Sequence, residues 1–364
     1  MPPKKVASSS TPKLPLPTEI LSLVFTYLLH DDRSSLAQCC RVSHAMFSIA
    51  APILYQHVYV SSIPAIDSRS DHPPDRFTAT GKEKTSTRKK KLLKNAQVVT
   101  IDFHHATWCG NKSFKYPKLD TLVLRLCING LGPVLHAFDI LEKQCSLAKC
   151  LEPRKLVLEN ACFPNTSSDM LGVPFKLFEK AEQITFIATL TTIQPGGGAG
   201  GFPKDQSKLK KVVWIFLTPN PATKWTPGTQ GVMGRNNRSV DFDMMTFAHV
   251  VRSFDDVPFY IVNAGGIDHN YVGLKEWNET LVQEKFASTL KTMIIQGGFR
   301  RPYYLGQSEP NQDQEQEDIR KEQEEEQVSM KIWENVKMLT MKEYLQNHNW
   351  TGEFECEEAK LWLA

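Results

Sequence analysis

Two short clusters bring together side chains that can attack a carbonyl or move a proton. His104 and His105 follow Asp102, and Cys109 lies a little further along. A thiolate activated by a histidine would give nucleophilic catalysis. No oxyanion motif surrounds Cys109, and a surface turn accounts for the His pair more simply. Asp268-His269 follow Gly265-Gly266 and stand isolated. A GxSxG nucleophile elbow is absent. The eight cysteines, Cys39, Cys40, Cys109, Cys127, Cys145, Cys150, Cys162 and Cys356, form neither a CxxC pair nor a Cys/His zinc pattern. Most sit in apolar segments, where cysteine behaves as a small buried hydrophobe and a reducing compartment is expected.

Glycine offers a second route to chemistry, the cradling of phosphate. Gly196-Gly197-Gly198-Ala199-Gly200-Gly201 lacks the Gly-Lys-Ser/Thr ending of a phosphate loop, and Lys204 follows a proline. Gly265-Gly266 and Gly297-Gly298 lack GxGxxG spacing and read as turns. No catalytic residue, metal or cofactor is therefore expected. Arg88-Lys89-Lys90-Lys91, continued by Lys94, reads as a solvated loop or as a nuclear localisation signal. Without interleaved aromatics it does not resemble a nucleic-acid surface. The formal net charge of +3 on 364 residues creates no global field toward nucleic acid. The opening residues carry no apolar stretch, and no run approaches the ~18 apolar residues that would cross a bilayer. A soluble protein, cytoplasmic and/or nuclear, with no membrane partner is expected.

The elements that must position any site fall into two groups. Residues 1–13 are rich in Ser, Pro and Lys and are expected to be disordered. Helical patterning begins at Leu14-Pro15-Leu16-Pro17-Thr18-Glu19, with proline at a helix start and an acid in the first turn. Ile20, Leu21, Val24, Phe25 and Leu28 recur at helical spacing. Asp31-Asp32 ends that helix and can cap the next, which is expected to carry Leu36, Cys39, Cys40 and Val42 inward. A third helix is expected over 47–58. Three helices in residues 14–60 bury little surface alone, which points to an obligate partner.

The order and spacing Leu16-Pro17-x-Glu19-Ile20-Leu21-x-x-Val24-Phe25-x-Tyr27-Leu28, then Asp32, Leu36, Cys40-Arg41-Val42-Ser43, Phe47 and Leu54-Tyr55, resemble the F-box. Tyr55 stands where the family often has tryptophan. The resemblance implies docking on a Skp-type adaptor, and through it a cullin, with contacts from Leu16, Pro17, Ile20, Leu21, Val24 and Leu28.

Residues 61–95 read as a polar and basic linker. From 96 to 309 a spaced pattern recurs, clearest in Leu119-x-x-Leu122-x-Leu124-x-Leu126-Cys127. Related runs begin at Ala96, Leu156, Ile184, Leu209, Phe259 and Leu290, and period-two alternation marks each as a strand. Helix-like segments lie at 134–147, 241–254 and 274–290. The pattern resembles a degenerate leucine-rich repeat, LxxLxLxx(N/C). The expected fold class is α/β: a three-helix module followed by a repeat-like solenoid, with a doubly wound α/β domain as the alternative. In a solenoid the residues between the core positions would line an open concave face that receives a protein substrate. Those are Thr121, Val123, Arg125, Lys211, Val213, Ile215, Thr292 and Ile294. Residues 310–364 begin acidic, and Ile332, Trp333, Val336, Leu339 and Leu345 suggest one capping helix. The last residues, Leu361-Trp362-Leu363, either tuck back onto the domain or form a partner-binding tail. Two functions remain open: a substrate receptor of a ubiquitin ligase, or an α/β enzyme with a helical cap.

Overall fold

The computed structural model describes residues 16–61, 77–78, 91–101, 116–125, 151–159, 175–189, 205–217, 240–267, 269, 272–295, 312–354 and 356–363. Three short helices come first: α1 (Thr18–Asp31), α2 (Arg33–Val42) and α3 (His44–Leu54). Pro17 is the N-cap of α1, one position earlier than its sequence suggests, and leaves the cap without a side-chain acceptor. The Asp32 carboxylate caps α2 by accepting from the Ser35 amide at 3.0 Å, and Ser43 caps α3 by accepting from the Met46 amide at 3.1 Å. Leu21, Phe25, Leu36, Ala50 and Leu54 form the module's own small core.

The third helix ends at Leu54 rather than continuing to Val58. His57-Val58-Tyr59-Val60 alternate and form strand β1 (His57–Ser61), which pairs in parallel with β3. The helical module thus runs into the sheet through two residues, Tyr55 and Gln56. The Gln56 carbonyl accepts from the amides of Gln97 and Val98 at 2.8 and 3.0 Å. Arg33 fixes the junction by donating to the carbonyls of Leu54 and His57.

The remaining strands are β2 (Phe77–Thr78), β3 (Val98–Ile101), β4 (Thr121–Arg125), β5 (Lys155–Glu159), β6 (Gln183–Thr189), β7 (Lys211–Leu217), β8 (Phe259–Val262) and β9 (Val336–Leu339). All described pairings are parallel, in the order β2-β1-β3-β4-β5-β6-β7-β8-β9. From β3 to β9 spatial order equals chain order, so that stretch has no reversal of the kind that makes the ligand crevice of a doubly wound sheet.

One turn recurs at the strand entrances. Two residues before the strand, an amide donates to the carbonyl three residues back: Ala96 to Leu93, Leu119 to Tyr116, Ala181 to Phe178, Leu209 to Gln206 and Val257 to Phe254. Before β5 the equivalent position is Pro153, which has no amide to donate. This turn is the physical content of the sequence pattern, in which an apolar residue precedes the alternating run by two skipped positions.

Helices α4 (Phe175–Lys180), α5 (Val240–Arg252) and α6 (Glu279–Ile295) follow, the last two packed on one sheet face. Phe186, Trp214, Phe216, Phe247, Phe254, Phe259 and Phe286 build an aromatic cluster there, with ring centroids 5.0–6.4 Å apart. The run from Leu290 is not a strand. Val282, Phe286, Leu290 and Ile294 recur every four residues and are buried from one side of α6. Gly265, in a 3₁₀ turn, abuts the start of α6. A Cβ there would meet Glu279 Cγ at 2.5 Å and the Glu279 carbonyl oxygen at 2.6 Å.

The single capping helix expected near the C-terminus is three elements. Helix α7 (Gln312–Glu334) stops, β9 joins the sheet edge beside β8, and α8 (Met341–Asn347) starts from a Thr340–Glu343 capping box. The open edge of β8 supplies backbone partners that local helical period cannot foresee. Helix α9 (Cys356–Leu363) ends the description. No described helix is long and apolar enough to cross a membrane.

Among the described residues the sheet has no open face in its middle. Strands β3 and β5 are buried almost throughout, and β7 is buried at its five central residues. Parallel sheets covered on both sides behave this way. The second cover is the C-terminal segment.

Candidate functional site

Helix α1 is apolar around most of its circumference, and its two apolar stripes do different things. Leu21 and Phe25 turn into the module, 5% and 2% exposed. Leu16, Ile20, Leu23, Val24 and Tyr27 face outward, and Val42 at the end of α2 is also exposed. Ile20, Leu23, Val24 and Tyr27 follow the i, i+3, i+4, i+7 spacing of one helix face. Among the residues expected to touch an adaptor, Leu16, Pro17, Ile20 and Val24 are exposed and Leu28 is half-buried against the module core. Leu21 is a core residue and is not available to a partner. Leu23 and Tyr27 share the exposed face, and the sequence signal for them is an apolar surplus beyond the single stripe that a small core needs; Val42, expected to turn inward, is instead exposed because it is the last residue of α2.

The second candidate surface is the sheet face expected to be open. One register row runs through His57, Val98, Thr121, Lys155, Gln183 and Lys211, and the next through Thr100, Val123, Val157, Thr185 and Val213. The expected period is therefore right for Thr121, Val123, Lys211, Val213 and Ile215, which belong to one face, and Arg125 stands opposite Glu159 in the same ladder. The expected openness is not found. Thr121, Val123, Val213 and Ile215 are at most 1% exposed and Lys211 is half-buried. Thr292 and Ile294 do not belong to this face: both lie on α6, Thr292 exposed and Ile294 buried against the opposite side of the sheet.

What closes the face is residues 341–363. Met341, Tyr344, Leu345 and Ala359 pack on Val98, Val123, Val157, Ile187, Val213, Ile215 and Val262, with Trp350, Phe354 and Trp362 at the margin. At the strand-entry end, Glu353 is driven into the row of polar residues. Its side chain is fully buried and pairs with Lys155 Nζ at 2.7 Å, itself 6% exposed. Thr185 Oγ1 and Gln183 Nε2 donate to Glu353 Oε1 at 2.9 and 3.2 Å, and the Tyr344 hydroxyl reaches both carboxylate oxygens at 2.9 and 2.7 Å. Lys155 Nζ also donates to the carbonyls of Asn349 and Thr351. Gly352 has φ +79°, and a Cβ there would approach Thr121 Cγ2 to 2.9 Å and Val98 Cγ1 to 3.1 Å. Glycine meets both demands.

The electrostatics follow from burial. Desolvation pushes the Tyr344 phenol far above its ordinary range, and the Glu353 charge adds to this. Desolvation lowers the Lys211 ammonium, and Glu353 partly offsets it. His348 stacks on Tyr344 and meets Tyr260 edge-on. Burial holds its imidazole below the usual histidine value, with Lys211 acting in the same direction.

Neither surface is a catalytic constellation. Asp102, His104, His105, Cys109, Asp268 and residues 196–201 lie outside the described residues. Among the described residues no group of three or more His, Cys, Asp or Glu could hold a metal ion. A shallow groove of about 280 Å³ lined by Arg252, Lys321, Glu324, Glu325 and Val328 is open, with mixed charges.

Comparison with protein families matches residues 14–61 to the F-box-like family, whose domains are typically non-enzymatic adaptors. No curated protein and no solved structure matches the chain. The match spans α1 to α3 and the first sheet strand, so the outward apolar face of α1 lies within the matched region. Residues 14–61 are therefore an F-box-like domain.

Proposed function

We propose that the chain is a substrate-receptor subunit of a Skp–cullin–F-box ubiquitin ligase. The observation that carries this reading is the exposed stripe Leu16, Ile20, Leu23, Val24 and Tyr27 on the first helix of an F-box-like domain. Large apolar groups gathered on one exposed helix face mark an interaction surface, and a helix face of this spacing fits an apolar groove. The adaptor occupies that face and links the chain to a cullin. The α/β region carries the substrate, in the cytoplasm or nucleus, with no chemistry of its own.

A repeat-type organisation of that region is part of the proposal. It is supported by sequential parallel strand order, by the recurring entry turn, and by Asn263, which closes β8 by donating to the carbonyl of Phe216 on the neighbouring strand at 2.7 Å. The test is reconstitution. The purified full chain, mixed with a Skp adaptor and a cullin, is expected to co-elute as one complex on size exclusion. Separate elution of chain and adaptor at micromolar concentration would overturn the receptor reading.

A further inference from the structure

The carboxylate of Glu353 sits in a site of the kind a ligand would use. Four side chains from three directions converge on it: Lys155 and Gln183 from the first register row, Thr185 from the second, and Tyr344 from α8. Three of them belong to the sheet, and their placement follows from strand register alone. On either side of the acid, Trp350 and Phe354 lie against the apolar part of the same face. Every described ladder pairing of the sheet lies within residues 57–339. Among the described residues the covering segment therefore adds no strand to the sheet, and leaving the face would break none of these pairings. A buried ion pair adds little net stability over well-packed apolar groups of the same volume. That is the economy expected of a segment held specifically and released.

We infer that the face of β4 to β7 is a receptor site for an acidic peptide segment, and that residues 349–354 occupy it in the resting chain as a tethered stand-in. The ligand chemistry is read from the occupant: one carboxylate for Lys155, an aromatic side chain on each side of it, and glycine immediately before it. Glycine is required because Thr121 and Val98 leave no room for a Cβ at that point and the backbone is left-handed. The occupant in trans is a segment of a protein substrate. The inference rests on the receptor reading above and names the chemistry of its substrate.

The test uses the full chain and a fluorescein-labelled peptide copying residues 347–356. Glu353→Gln in the chain removes the tethered carboxylate and frees the site. This variant is expected to bind the peptide at least about tenfold more tightly than wild type, because the intramolecular competitor is weakened. Adding Lys155→Met to that variant, or replacing the peptide's glutamate that copies Glu353 by glutamine or its glycine by alanine, is expected to remove the gain. Equal peptide affinity for wild type and Glu353→Gln would overturn the inference. Should the variant not fold, hydrogen exchange on the wild-type chain decides. Saturating peptide is expected to speed exchange of the amides of 349–354 while leaving α8 and β5 to β7 protected, and unchanged exchange overturns the inference. Adaptor binding is measured on the same samples. Its retention with no peptide effect removes only this inference, whereas its loss in wild type removes the receptor reading.

Discussion

Breaking the Lys155–Glu353 pair one side at a time is expected to be far more damaging than removing both partners. Glu353→Leu strands the Lys155 ammonium, 6% exposed, with the carbonyls of Asn349 and Thr351 as its remaining oxygen contacts. Removing one partner of a buried pair costs about 3–5 kcal/mol. Lys155→Met leaves the carboxylate with the neutral donors Thr185, Gln183 and Tyr344, so its cost belongs at the lower end of that range. The double variant buries no charge at this point. It loses only the hydrogen bonds of the neutral donors, roughly 1–3 kcal/mol in all. The expected coupling between the two sites is therefore at least about 2 kcal/mol. Urea unfolding followed by tryptophan fluorescence reads it, because Trp350 and Trp362 report the covering segment and Trp214 the sheet. Costs of the single changes that add to within about 0.5 kcal/mol would show that the pair is not coupled, and the account of the buried network would fail.

Three further outcomes are expected. Val213→Glu places an unpaired carboxylate at a fully buried point under the C-terminal segment, and should lower the urea midpoint strongly. A folded variant with an unchanged midpoint would mean that the face is open after all. Leu21→Ala should destabilise the helical module by about 2–5 kcal/mol, seen as early loss of helical ellipticity, since Leu21 is a core residue. Wild-type behaviour there would return it to the surface. Docking of the C-terminal segment should weaken on acidification. The folded His348 imidazole sits below its ordinary value, so the released form binds more protons. Stability is then full above about pH 6.5 and falls as pH drops through the histidine range. His348→Gln should flatten that dependence in hydrogen exchange of 341–354, and an unaltered slope would assign it elsewhere.

The F-box-like module was readable because its determinants are local. Proline, acid and apolar residues at fixed short spacings specify both helix and face. Periodicity alone could not tell which of two apolar stripes on α1 was core, because Leu21 and Leu23 differ only in what α2 and α3 bring against them. In the sheet, the in-and-out alternation of Thr121, Val123, Val213 and Ile215 was legible from period two. Their burial was not, because it depends on a segment far along the chain. Nothing near Lys155 announces that Glu353 will reach it. The run at 290–295 was misread because six residues with apolar positions at intervals of three and two fit either period. At β9 a strand was hidden inside a helical pattern because the partner edge, not local preference, decided its state.

The most direct measurement of the central claim is the affinity of a purified Skp adaptor for the full-length chain, by calorimetry, in wild type and in two surface variants. Ile20→Asp with Val24→Asp places charges on the exposed stripe without touching the module core. Lys94→Glu changes charge elsewhere and serves as a control. Tight binding is expected of wild type and the control. The double variant should lose at least about 100-fold, equivalent to about 2.8 kcal/mol, with an unchanged melting temperature. Equal affinity in all three proteins, or no binding by wild type, would contradict that claim.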